Sequence, residues 1–79
     1  MKYYIIVFKN THDAICGEKK LKEENFIFRI MPTPTVITQS CGICIRIEDE
    51  EQIKEIVENQ SITYKGIFLR SDKGYEKVN

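Results

Sequence analysis

A chain of 79 residues whose twelve acidic and twelve basic side chains cancel has no one-signed field of the kind that tracks a nucleic-acid backbone, so neither DNA nor RNA is expected as a partner. Its longest apolar run, Tyr3-Tyr4-Ile5-Ile6-Val7-Phe8, is far short of the roughly 20 residues that span a bilayer, and no membrane partner is expected either. The same run is too short for the apolar centre of a signal peptide and no cleavage chemistry follows it, which makes a cytoplasmic protein the expectation.

Residues 2–9 are β-branched and aromatic on both parities, as in a central strand with both faces covered. Asn10 and Thr11 are N-cap residues, Asp13 suits the positive end of a helix, and Ala14, Gly17 and Leu21, with Ile15, mark an apolar stripe; a first helix is expected over 11–24. The lysine and glutamate run from Glu18 to Glu24 is its solvated face. A second strand over Phe26–Met31 ends where Pro32 begins. Ile43, Ile45 and Ile47 alternate with Cys44, Arg46 and Glu48 in a third strand, which turns Cys44 to the face opposite the isoleucines. Asp49 caps a second helix with Ile53, Ile56 and Val57 facing inward, ending near Asn59. A fourth strand is expected over Ile62–Arg70, with a bulge at Gly66. From Ser71 the composition turns polar, so residues 1–70 form the domain and 71–79 a frayed tail on which Tyr75 and Val78 alone dock.

The order βαββαβ implies an α+β, ferredoxin-like sandwich: a four-stranded antiparallel sheet in the order 4-1-3-2 with both helices on one face. In that topology the end of strand one, the start of helix one, the end of strand two and the start of strand three meet at one edge.

Chemistry is concentrated in the segment that reaches this edge, Pro32-Thr33-Pro34 through Ser40-Cys41-Gly42. The two prolines restrict the backbone and make a stiff loop, and Gly42 permits a positive φ or a close backbone approach, leaving the Cys41 thiol at a loop tip. The helix N-terminus favours a thiolate there, and His12 offers a proton acceptor or a positive neighbour. The candidate site is therefore Cys41 with Ser40, Gly42 and His12. Cys16, inside the first helix, is expected to be a small buried hydrophobe. Cys41 and Cys44 have redox spacing, but an extended backbone puts residues three apart roughly 10 Å from each other, beyond disulfide reach unless Cys41-Gly42 folds back. Three cysteines and one histidine at these spacings fit no familiar zinc pattern. Reduced thiols are expected, with neither a metal nor a bound cofactor.

Thr11-His12-Asp13-Ala14, Met31-Pro32-Thr33-Pro34 and Ser40-Cys41-Gly42 follow in an order and spacing that resembles a family of short bacterial selenium or sulfur carrier-like proteins, over about residues 2 to 69. The resemblance implies that Cys41 holds sulfur or selenium as a persulfide or selenopersulfide, passed between donor and acceptor proteins, by a carrier and not a turnover enzyme. Two positions depart from the pattern: Thr35 stands where a basic residue is expected, and Cys44 where a small or aliphatic one is. The alternative is a noncatalytic interaction or small-ligand module in which Cys41 has no reactive role, since this architecture hosts many functions. Separately, the sheet face away from the helices carries Tyr3, Ile5 and Val7 or Tyr4, Ile6 and Phe8 beside Cys44, an apolar patch expected to be covered in a homodimer or by a docked partner.

Overall fold

A computed structural model of the chain describes residues 2–38, 42–60 and 62–79. In chain order they form β1 (Tyr3–Val7), α1 (Thr11–Glu23), β2 (Arg29–Pro32), β3 (Ile43–Ile47), α2 (Glu50–Asn59), β4 (Gly66–Ser71) and β5 (Gly74–Lys77). The α+β architecture with two helices and an antiparallel sheet is present, but the sheet has five strands where four were expected, in the order β2-β3-β1-β4-β5.

The additional strand is the segment expected to be a frayed tail. β5 pairs with β4 from Phe68↔Lys77 to Ser71↔Gly74. The hairpin turns through Asp72-Lys73 into Gly74, whose φ of +108° is a conformation that L side chains rarely adopt. Polar composition concealed a strand here because β5 lies at the sheet edge, where charged side chains are the normal guard against further pairing.

Both helices begin where their caps predict. The Asn10 side chain accepts from the Asp13 N–H at 2.8 Å, and the Asp49 side chain accepts from the Glu51 N–H at 2.9 Å. On the helix-covered face the register aligns Ile45, Ile6 and Ile67 in one row across β3, β1 and β4. These pack with Phe8, Ile47, Ala14, Leu21, Ile53 and Ile56 into the main core. Gly17 is needed for that contact: a Cβ there would lie 2.8 Å from the Phe8 ring. Ile15, one residue off the stripe, is exposed.

Two strands are shorter than the sequence implies. β2 starts only at Arg29, because the backbone at Ile27 is satisfied by a helix side chain instead of by β3: Ile27 N–H donates to Gln52 Oε1 at 2.8 Å and Gln52 Nε2 donates to the Ile27 carbonyl at 3.2 Å. Its last residue is Pro32, acceptable because β2 is an edge strand. β4 starts at Gly66 in continuous register with β1, so the expected bulge is absent, while Ile62 and Tyr64 pack on the main core from the preceding loop.

The opposite face corrects the expectation of an open apolar patch. Ile5, Val7 and Cys44 do face away from the helices, yet each is 0% exposed within the single chain. Tyr3, Met31, Phe68, Tyr75 and Ile37 pack around them. The guanidinium of Arg46 lies 3.9 Å from the centre of the Tyr3 ring and that of Arg70 4.8 Å from the centre of the Tyr75 ring, so two cations cap the aromatic layer. The observation that motivated a homodimer through this face is thereby removed.

Candidate functional site

The antiparallel register collects one set of chain ends at one edge of the sheet. Val7 at the end of β1 pairs with Cys44 on one side and Gly66 on the other, and Pro32 at the end of β2 pairs with Ile43. α1 begins at Thr11, just after β1 ends at this edge. The segment between β2 and β3 starts and finishes here too, and its mouth is closed by Thr33 N–H donating to the Gly42 carbonyl at 3.2 Å.

Within that segment Pro34 does what its fixed φ predicts, initiating a turn: the N–H groups of Ile37 and Thr38 donate to the Pro34 carbonyl at 3.0 and 3.3 Å. The turn carries Ile37 over the sheet face away from the helices, where it packs with Val7 and Cys44. Thr33, between the two prolines, is buried, and its Oγ1 has no hydrogen-bond partner among the described residues. Lys65 Nζ donates to Thr38 Oγ1 at 3.5 Å while the Lys65 N–H donates to the Val7 carbonyl at 2.7 Å. A half-buried isoleucine, a backbone bond across the mouth and a lysine thus hold the described part of this segment. Lys65 went unnoticed in the sequence because it is 27 residues from Thr38. Its position matters electrostatically, since it brings a cation to the segment in which Thr35 replaces the expected basic residue.

Of the four site residues chosen from sequence, Ser40 and Cys41 lie outside the described residues. Gly42 is exposed directly before β3, and no described atom lies within 4 Å of where a Cβ would be. His12 is exposed on the first turn of α1, with Nε2 3.7 Å from Sγ of Cys16.

That contact overturns the expectation for Cys16, which is exposed and not packed beneath α1. The reason is helical phase. Ala14, Gly17 and Leu21 are the buried positions, and Cys16 stands on the flank with His12, one turn back, and Lys20, one turn on. The i,i+4 spacing of His12 and Cys16 was available in the sequence as the sign of this pairing. Cys44 takes the opposite position, buried on β3, with Sγ donating to the Pro32 carbonyl at 3.8 Å. Among the described residues no three His, Cys, Asp or Glu side chains converge as they would around a metal ion, and no helix is long and apolar enough to cross a membrane.

A family model described as "Putative Se/S carrier protein-like" matches residues 3–69, from the start of β1 into β4. No curated protein and no solved structure matches the chain.

Proposed function

The chain belongs to the family described as "Putative Se/S carrier protein-like", and on that membership we propose that it carries sulfane sulfur or selenium on Cys41 between a donor and an acceptor protein. The Cys41 thiolate attacks the outer sulfur of a donor persulfide. A new S–S bond forms to Cys41 as the donor's own S–S bond breaks, and the donor leaves as a thiolate; the same exchange run toward an acceptor unloads the carrier. No external oxidant or reductant enters, because the transferred atom keeps its oxidation state. Ser40 and Gly42 flank the carrier thiol, and His12, at the head of α1, is the proposed proton acceptor at that edge of the sheet. Lys65, bonded to Thr38 in the same segment, adds positive charge that favours thiolate over thiol.

The observation that carries this reading is the family match across residues 3–69. The anchoring of residues 33–38 supports it by fixing the start of the segment that leads to the thiol. The test is mass spectrometry of the protein isolated without reductant: a fraction should carry an added mass of about 32 (sulfur) or about 79 (selenium), lost on adding dithiothreitol. Cys41→Ser should lose the Cys41 adduct while retaining the far-ultraviolet circular dichroism of the parent. A Cys41 peptide without added mass, after exposure to a persulfide donor, would refute the proposal.

A further inference from the structure

We infer that Cys16 and His12 form a second sulfane-sulfur acceptor on the flank of α1, loaded from small-molecule persulfides. The inference rests on the carrier reading for its cargo, but its geometry is independent of Cys41. Imidazole Nε2 and thiol Sγ are 3.7 Å apart, within reach of a sulfur hydrogen bond, and both side chains are exposed. A nucleophile and a base at this separation are the minimum for activating a thiol at neutral pH. The thiol also opens onto a cavity of about 360 Å³ between α1 and the loop before β4, lined by Asp13, Cys16, Gly17, Lys20, Ile62 and Thr63. That volume lies at the lower end of small-molecule sites and admits a molecule the size of an amino-acid persulfide. Lys20 also lines the cavity, and its ammonium, 3.4 Å from Glu24 Oε2 in an exposed ion pair, is a cation for which a carboxylate of the incoming molecule would compete.

The step balances without a cofactor. His12 takes the Cys16 thiol proton, the thiolate attacks the outer sulfur of the persulfide, and the S–S bond of the persulfide breaks. The departing small-molecule thiolate receives the proton from the imidazolium. Cys16 is left as a persulfide, and one thiol is released for each sulfur taken.

The experiment treats the full chain with cysteine persulfide at pH 7, quenches with iodoacetamide and maps the added mass by peptide. Wild type, Cys41→Ser, Cys41→Ser with His12→Gln, and Cys41→Ser with Cys16→Ser are compared. The Cys16 peptide of Cys41→Ser should gain about 32 mass units. Adding His12→Gln should slow its loading by about tenfold or more at pH 7. His12 and Cys16 are exposed, so these variants keep the fold, which circular dichroism verifies. Failure of Cys16 to load in Cys41→Ser, or loading of the His12→Gln variant at an unchanged rate at pH 7, overturns the inference. Cys41 loading in wild type without Cys16 loading leaves the carrier reading standing and refutes this one; Cys16 loading without Cys41 does the reverse.

Discussion

On one face of the sheet Ile6, Ile45 and Ile67 meet Ala14, Leu21, Ile53 and Ile56 from the two helices. On the other face Ile5, Val7 and Cys44 are just as fully buried, yet what covers them is a layer of side chains, Tyr3, Met31, Phe68 and Tyr75, with Ile37 from the segment after Pro34. Equal burial therefore has two physical origins. A helix is a rigid backbone element whose fit depends on single contacts such as Gly17 against Phe8, and it cannot follow a neighbour that shrinks. A layer of long side chains can change rotamers and partly refill a gap. The two faces should differ less in accessibility than in tolerance.

The largest effect tests accessibility itself. Cys44 should react with iodoacetamide at least about a hundredfold more slowly than Cys16 in the native state, because its sulfur waits on an opening reaction while Cys16 is exposed. Comparable rates would mean that the side-chain layer is not closed. Neighbouring residues of one type on one strand then separate the two origins of burial. Ile6→Ala should cost about 4 kcal/mol and Ile5→Ala about 2 to 3 kcal/mol in denaturant titrations, since only the second site can collapse. Equal costs would break the comparison. Gly17→Ala sharpens it from the helix side: the new methyl meets the Phe8 ring at 2.8 Å, and a net loss of about 1 to 2 kcal/mol is expected despite the better helix propensity of alanine.

The smallest effect is a pH dependence. Burial first, then a hydrogen bond with Tyr3, raises the Tyr75 phenol above its ordinary value on the side-chain-covered face. Burial first, then the charge of Glu50, raises Tyr4 on the helix face. Both phenols hold their protons more tightly in the folded chain, so above about pH 10 the unfolded state binds fewer protons and stability falls as pH rises through the raised values. Tyr75→Phe should remove part of that alkaline slope and leave stability below pH 9 little changed. An unaltered slope would assign the whole effect to Tyr4.

Periodicity and capping by themselves determined much of this protein. Asn10 and Asp49 marked the helix starts, the alternation of Ile43, Ile45 and Ile47 put Cys44 on the far face, and Pro32 ended β2, because each is a local rule satisfied by neighbours in sequence. Three matters were decided only by tertiary structure. β5 depends on an edge that β4 offers, so its charged, short sequence carried no hydrophobic signal of its own. Cys16 was misjudged because whether a helix flank is covered depends on where the helix lies over the sheet: the stripe through Ala14, Gly17 and Leu21 is legible, but its width is not. Lys65 reached Thr38 across 27 residues, and Ile37 closed a face that looked open, through contacts that exist only when β1, β3 and β4 are side by side. Folding brought the Lys65 ammonium to Thr38, because charge acts through distances in space that a separation of 27 residues along the chain does not record, whereas the contact of His12 with Cys16 follows from their i,i+4 spacing on one helix.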